Sequence, residues 1–192
     1  HPTDPDIVYV GVMGPAWSDG QERGLYRTLD GGRTWDRVLW QNPRSGIADL
    51  VMDPSNPDKL FAAMWEFRRE PWFLTSGGQG SGLFVTYDGG NSWKQLSSED
   101  GLPEGELGRI GLAISQSNPN VVYALVEAEV STLIRSEDGG RTWATISDSP
   151  GINPRPFYYA DIRVDPKNEN RIYRLQSSVD VSQDQGRNWE TV

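Results

Sequence analysis

The sequence predicts an all-β chain, folded as a β-propeller of four-stranded antiparallel blades. Three observations carry this prediction. An octamer occurs four times, and a second motif alternates with it in constant phase. The third is the presence of 8 tryptophans in 192 residues, because so many large rings need burial between packed layers. Glycine (21 residues) and proline (13) supply the tight turns that a chain of short strands requires.

The octamer has the pattern Ser/Thr-x-Asp-x-Gly-x-x-Trp. Its copies are Thr28–Trp35, Thr86–Trp93, Ser136–Trp143 and Ser182–Trp189. The steps between their aspartates are 58, 50 and 46 residues, a length that four short strands and their turns fill. We expect each aspartate to accept backbone N–H groups in a turn and the glycines to adopt positive φ. Each tryptophan is expected to be a buried wedge between neighbouring blades.

These roles apply to the structural aspartates and tryptophans Asp30, Trp35, Asp88, Trp93, Asp138, Trp143, Asp184 and Trp189. Catalysis or calcium binding by the four aspartates is the alternative, but identical residues in every repeat usually serve the repeat. The fourth copy has Gln185 in place of glycine and Asn188 in place of threonine, so its turn is expected to be looser.

The octamers resemble the Asp box, also called the bacterial neuraminidase repeat, over almost the whole chain. This repeat occurs in sialidases, xyloglucanase-type glycoside hydrolases, sortilin-type receptor domains and photosystem assembly factors. The pattern here most resembles large secreted bacterial proteins that are glycosyl-hydrolase-like through the repeat alone. The resemblance implies a propeller and an extracellular or periplasmic location in a bacterium.

The second motif is a turn followed by an apolar strand, as Asn-Pro and Asp-Pro pairs favour. Its copies are Pro2–Tyr9, Pro54–Phe61, Gln116–Tyr123 and Pro166–Tyr173. Each is expected to join the innermost strand, A, to the next strand, B. Strands C and D then flank the octamer.

The motifs divide the chain into modules of about residues 1–45, 46–106, 107–157 and 158–192. The first module has predicted strands B at 7–12, C at 25–28 and D at 34–39. The second has strands at 47–52, 60–65, 83–86 and 92–96, the third at 109–114, 121–126, 132–135 and 142–146, and the fourth at 159–164, 172–175, 179–182 and 188–192. Strand A of the first module is missing. We therefore expect a segment of a longer propeller, or a ring that a second copy closes.

Composition excludes several kinds of site. A net charge of -9 disfavours nucleic acid and anionic membranes as partners. No apolar run approaches the roughly 18 residues that span a bilayer. Cysteine is absent and His1 is the only histidine, which excludes thiolate or histidine metal sites and histidine-based triads. No cofactor or metal is predicted.

Two long loops between strands B and C, at residues 13–23 and 66–81, are the first candidates for binding. Aromatic rings suit the C–H faces of sugars, and arginines suit carboxylates or phosphates. The candidate ligand-binding residues are Trp17, Arg68, Arg69, Trp72, Phe73, Arg109, Tyr158 and Tyr159. Alternatively, these rings only cap the ends of the blades. The glycines at 77–82 lack the lysine and helix of a phosphate loop and predict a flexible turn.

Candidate acids lie in strand A and in the second loop. Aligning the A strands puts Asp49, Gly111 and Asp161 in register, so two carboxylates are expected in one channel, with Glu66 as a third acid. Paired carboxylates are the basis of glycoside hydrolysis. Solvated channel acids are the alternative. The Arg-Ile-Pro signature of sialidases is missing, which argues against a true sialidase.

Three functions therefore stay open. A non-catalytic scaffold would bind a glycan or a protein through the face that carries the B–C and D–A loops. A glycoside hydrolase fragment, xyloglucanase- or sialidase-like, would use the channel carboxylates. A purely structural array would have no ligand. Of these, the sequence favours the scaffold.

Overall fold

A computed structural model describes all 192 residues as 16 strands in four antiparallel sheets. The first sheet contains β1 (Val8–Val12), β2 (Gly24–Thr28) and β3 (Asp36–Leu39). The second contains β4 (Ser45–Met52), β5 (Leu60–Arg69), β6 (Leu74–Ser76), β7 (Gly82–Thr86) and β8 (Lys94–Gln95). The third contains β9 (Ile110–Ile114), β10 (Val122–Val126), β11 (Thr132–Ser136) and β12 (Ala144–Ser147). The fourth contains β13 (Asp161–Asp165), β14 (Asn168–Leu175), β15 (Val179–Ser182) and β16 (Glu190–Thr191).

The strands confirm the all-β prediction. Neighbours along the chain pair in simple meanders, and the first sheet has three strands where the others have at least four. The D strands are shorter than predicted. The strand β14 begins at Asn168, four residues before its predicted start. The strand β5 continues to Arg69 and pairs with β6, so that the predicted loop is largely a hairpin. A single 3₁₀ turn, Ser98–Asp100, follows β8, and no helix is long and apolar enough to cross a bilayer.

The sheets pack face to face in chain order. Inner strand β4 packs against β9, and β9 packs against β13. The largest core cluster lies between the second and third sheets, where Phe61 meets the edge of Trp143 with 6.1 Å between ring centroids. The fourth sheet does not pack back against the first, so the four sheets form an open array.

Burial of the octamer tryptophans differs along the array. Trp143 is buried, and Trp93 and Trp189 are half-buried against the preceding sheet. The prediction of a buried wedge is wrong for Trp35, which is 41% exposed. Among residues 1–192 no sheet packs on this side of the first sheet, so the Trp35 ring lacks the neighbouring surface that the other three rings have.

The octamer turns are closed by the aspartates as predicted. Asp30 accepts the Thr34 backbone N–H (2.9 Å) and the hydroxyls of Thr34 (2.7 Å) and Thr28 (2.8 Å). The fourth turn is not looser. Asp184 accepts the backbone N–H of Asn188 and its side-chain Nδ2, which replaces the missing hydroxyl. Gln185 occupies the left-handed region with φ 71°, a cost of about 1–2 kcal/mol that glycine avoids.

Acid unfolding follows from these turns. Hydrogen bonds within the turns hold the pKa of Asp30, Asp88 and Asp184 at about 2. Burial raises the pKa of Asp138, but the hydrogen bonds of its own turn outweigh this effect and bring the pKa to about 2. A lowered folded-state pKa stabilises the fold above the ordinary value of 3.8, and this contribution disappears as the pH falls toward 2. We expect cooperative loss of far-UV circular dichroism between about pH 4 and pH 2.

The variant Asp138→Asn tests the assignment, because asparagine keeps an acceptor but does not titrate. Its stability should depend less on pH between 2 and 4 than that of the wild type. Asp49, whose pKa burial raises, has the opposite sign and favours the fold in acid. It is one group against eight aspartates with a lowered pKa, namely the four of the octamers and Asp53, Asp100, Asp165 and Asp180. An unchanged pH profile in Asp138→Asn would contradict the role given to the octamer.

The two ends of the sheets differ in character. In each module the octamer turn donates a backbone bond to the A–B turn, as from Gly31 to Asp6 (3.0 Å) and from Gly139 to Asn120 (2.9 Å). Both kinds of turn therefore lie at one end, the turn face. The opposite end, the loop face, carries the loops around residues 13–23, 66–81 and 148–160.

Candidate functional site

The extension of β5 brings two arginines to the loop face on opposite sides of the strand. Arg68 is held in ion pairs with Asp19 (2.8 Å) and Glu70 (3.2 Å). The Arg69 guanidinium donates to the Tyr158 hydroxyl, and its backbone N–H donates to the Ala16 carbonyl (2.8 Å). Arg69 thus joins the first, second and fourth modules at one place.

A group of exposed rings and guanidinium groups surrounds Arg69. We call it the aromatic cluster, and it consists of Trp17, Arg69, Arg155, Tyr158 and Tyr159. The Arg69 guanidinium carbon lies 5.7 Å from the ring centroids of both Trp17 and Tyr158. Arg155 lies over Tyr158 at 5.3 Å. Trp17 is 57% exposed, so its ring is free to contact a ligand.

A buried layer supports the aromatic cluster from below. Trp65 stacks on Phe67 with 4.3 Å between centroids, and Phe157 meets the edge of Trp65 at 5.1 Å. Arg109 lies over Trp65 at 5.5 Å and donates to the Phe157 carbonyl (3.2 Å). Arg109 therefore contributes a ring contact and a hydrogen bond to this support. The support fixes the backbone that carries Tyr158.

The first loop is pinned by Arg23, which is fully buried. Its guanidinium donates to the carbonyls of Arg44 (2.8 Å), Ser18 (3.2 Å) and Pro15, and it lies 4.5 Å from the Phe67 centroid. The Pro15 and Ser18 carbonyls flank Trp17, so the planar guanidinium holds the turn that carries this ring and ties it to the Arg44 carbonyl.

The structure separates the other predicted binding residues from this group. Trp72 and Phe73 form a pair 6.3 Å apart at the tip of the β5–β6 hairpin, where Trp72 is 77% exposed. They are not in ring contact with the aromatic cluster. Arg68 is neutralised by its two acids, so Arg69 is the arginine of the hairpin that is left to meet a ligand.

Two of the three candidate acids, Asp49 and Glu66, are engaged by hydrogen bonds from neighbouring groups. Asp49 accepts backbone N–H groups from Leu50 and, across to the next sheet, from Leu112 (both 2.8 Å). Burial raises the pKa of Asp49, and those bonds oppose the shift. Asp161 is half-buried in β13, and its charge also raises the pKa of Asp49. Asp49 therefore bridges two inner strands, as a structural residue would.

Glu66 is likewise held in place. It accepts the Gly80 backbone N–H (3.1 Å) and the Asn42 amide (3.2 Å), and Arg44 lies 3.5 Å away. It lines a polar cavity of about 420 Å³ together with Gly77 and Gly78, which the sequence predicted as a flexible turn. Both glycines have φ above 100°, so glycine is required there.

A second surface of the loop face is acidic and was not predicted. Two adjoining cavities of about 710 and 340 Å³ share Glu104 and Glu106, and the smaller also contains Glu127 and Glu129. The run of acids before β9 was visible in the sequence, but its position beside the third sheet was not.

Arg155 and Arg23 were also missed, because a lone arginine in a loop carries no pattern. No group of three or more His, Cys, Asp or Glu residues is arranged to hold a metal ion.

Comparison with known proteins gives structural neighbours alone. No protein-family model matches the chain, and no curated protein sequence matches it. The GH74 xyloglucanase from Xanthomonas campestris superposes with a TM-score of 0.69 over 95% of this chain, at 18% identity. YCF48 bound to D1 peptide superposes with a TM-score of 0.52 over 77% of this chain, at 17% identity.

A sialidase from Trypanosoma rangeli is also similar, with a TM-score of 0.51 over 97% of this chain, at 16% identity. The chain spans 26% of the length of the xyloglucanase, 40% of YCF48 and 35% of the sialidase. All three are β-propeller-type folds. The similarity indicates that the all-β architecture described above is of this fold type. At these identities it concerns the fold alone.

Proposed function

We propose that this chain is a non-catalytic Asp-box propeller segment that binds an oligosaccharide through the aromatic cluster of its loop face. The observation that carries the proposal is the convergence of Trp17 and Tyr158 on Arg69, from three modules, with Tyr159 beside Tyr158. Exposed rings that are fixed from below offer flat surfaces for the C–H faces of sugars, and Arg69 and Arg155 offer donors to hydroxyl or carboxylate oxygens.

The carboxylates support binding in preference to hydrolysis. A glycosidase needs two carboxyl groups facing each other across an open groove, about 5–10 Å apart. Asp49 is bound to two backbone amides, and Glu66 to an amide, a backbone N–H and an arginine. An extracellular or periplasmic location in a bacterium, which the repeat implies, belongs to the same proposal.

The test is calorimetry with neutral and acidic oligosaccharides, including xyloglucan fragments and sialyllactose. We expect Trp17→Ala and Tyr158→Ala each to weaken the binding of the sugar that binds the wild type at least tenfold, about 1.4 kcal/mol. Trp72→Ala is the matched control, since it removes a more exposed ring from the same face and should change affinity less than twofold. Equal losses in Trp72→Ala and Trp17→Ala would contradict the site.

Two other functions have one observation each in their favour. The xyloglucanase and sialidase neighbours favour a glycoside hydrolase fragment, with Asp49, Asp161 or Glu66 as acids. Release of reducing sugar by the wild type, and its loss in Glu66→Gln or Asp161→Asn, would support this function.

The neighbour bound to a peptide favours a protein ligand for the same loop face. If acidic peptides bind the wild type and do not bind the Arg69→Ala variant, that result would favour a protein ligand.

A further inference from the structure

The arginines of the loop face differ in the groups that neutralise them. Most of them meet a carboxylate, as in the pairs Arg44–Glu66, Arg68–Asp19, Arg68–Glu70 and Arg174–Asp180. Arg23 and Arg109 donate to backbone carbonyls instead. Arg69 and Arg155 are the two arginines of the aromatic cluster, and neither forms an ion pair with a carboxylate. The charge of the aromatic cluster is therefore uncompensated within this chain.

The same two side chains keep most of their hydrogen-bond donors free. A guanidinium group carries its N–H donors in one plane, and a ring that stacks on its face leaves those edges open. Arg69 donates to the Tyr158 hydroxyl, and the Arg155 guanidinium donates to no protein acceptor. The Arg155 carbonyl accepts the backbone N–H groups of Tyr158 (3.0 Å) and Tyr159 (2.9 Å), which closes the turn that carries both rings. The aromatic cluster thus presents positive donors on a hydrogen-bonded backbone.

Both arginines lie inside the array of sheets. Arg69 ends β5 of the second sheet, and Arg155 lies in the loop between β12 and β13 of the third and fourth sheets. Glu70, the next residue after Arg69, and Asp19 of the first loop are both bound to Arg68. Arg68 thereby keeps these two carboxylates from neutralising Arg69. A positive surface is left at this place in a chain whose net charge is -9.

This excess of positive charge separates neutral from acidic ligands. A neutral sugar would displace water from the two cations without supplying a negative charge, which costs free energy. A carboxylate supplies ionised acceptors, and hydrogen bonds between charged groups are roughly twice as strong as neutral ones. The planar guanidinium also matches the two oxygens of a carboxylate. The rings accept either kind of sugar, whereas the arginines favour the acidic kind.

We propose that the aromatic cluster selects carboxylated oligosaccharides, with the carboxylate bound by Arg69 and Arg155 while a sugar ring stacks on Trp17. This inference rests on the proposed function, which leaves open whether the sugar is neutral or charged. The guanidinium carbons of Arg69 and Arg155 lie 5.7 Å and 5.3 Å from the Tyr158 ring centroid, so an anion at the edge of that ring is close to both.

The experiment is calorimetry with probes that differ only in charge. Trigalacturonic acid and sialyllactose are each compared with their methyl esters, which keep the rings and lose the negative charge. We expect at least one acid to bind about tenfold more tightly than its ester at about 20 mM NaCl, and the difference to shrink at about 500 mM NaCl. The pair that shows the difference identifies a uronic or a sialic acid as the preferred residue.

Three variants locate the selectivity. Arg69→Gln and Arg155→Gln remove the charge and keep an amide donor, so each should weaken binding of the acid about tenfold and binding of the ester less than twofold. Arg33→Gln is the matched control, because it removes the same charge from an exposed side chain in an octamer turn of the opposite face. This control should change neither affinity by more than about twofold, and circular dichroism will check that all three variants fold.

The outcomes separate this inference from the proposed function. If an acid and its ester bind equally and Trp17→Ala weakens both, the sugar site stands and the selectivity for a carboxylate is overturned. Binding of xyloglucan fragments without binding of either acid has the same meaning. If Arg33→Gln weakens binding of the acid as much as Arg69→Gln, the preference belongs to the overall charge of the protein, and the inference is overturned. Absence of binding by every sugar would overturn the proposed function together with this inference.

Discussion

Replacing Trp143 with alanine is expected to lower the free energy of unfolding by about 3–5 kcal/mol, whereas the same change at Trp35 should cost less than about 1 kcal/mol. The two residues occupy the same octamer position, and each donates its indole N–H to the turn carbonyl at 3.2 Å. They differ in burial, because Trp143 is 7% exposed and packs on Phe61 while Trp35 is 41% exposed.

The matched pair separates the local role of the octamer from its role between sheets. Urea denaturation followed by far-UV circular dichroism gives both values, at a protein concentration where the wild type is monomeric. Circular dichroism is preferred since each variant loses a fluorophore. Similar losses for the two variants would mean that the tryptophan stabilises its own turn, and that burial between sheets adds little.

Replacing Arg23 with methionine should be the second large effect, about 2–4 kcal/mol of stability together with loss of ligand binding. The guanidinium satisfies three carbonyls in a fully buried position, and methionine leaves these acceptors without donors. The hydrogen bonds to Pro15 and Ser18 also hold the loop that carries Trp17. We therefore expect Arg23→Met to bind the oligosaccharide more weakly than the wild type even where the variant is fully folded.

Arg68→Met is the control for this variant. Arg68 lies on the same face, but its partner Asp19 is 55% exposed at the side chain, so the pair should contribute at most about 1 kcal/mol. Calorimetry and urea denaturation on both variants check the two effects. Full affinity in a folded Arg23→Met protein would show that the Trp17 loop is not part of the binding surface.

Much of the fold could be predicted because its repeats are local. The octamer fixes a turn with an aspartate and glycines, and the neighbouring apolar runs then fall into strands. All the strands around the four octamers were predicted from these signals, although D strands were drawn too long because their residues are exposed and pair only briefly. The β5–β6 hairpin was missed, since Phe67, Arg68 and Arg69 lack the alternation that marks a half-buried strand.

The candidate site was harder to predict, because it depends on contacts between distant segments. Trp17, Arg69, Tyr158 and Tyr159 were chosen for their chemistry and lie together. Trp72 and Phe73 were chosen on the same grounds and lie apart. Nothing in the sequence distinguishes Arg68, which two acids neutralise, from Arg69, which meets the rings. The expectation for Trp35 failed for a similar reason, as burial depends on a neighbouring sheet.

The packing of each sheet against only its chain neighbours has a consequence for how the protein unfolds. In such an arrangement stability is approximately a sum of single-sheet and nearest-neighbour contributions. The second and third sheets, which share the largest core cluster, should form the most persistent unit. The outer sheets should open and close in advance of it, so the slowest amide exchange belongs to β5, β7 and β10. The aromatic cluster draws on the first and fourth modules as well as the second, and a ligand that bridges them would suppress this fraying.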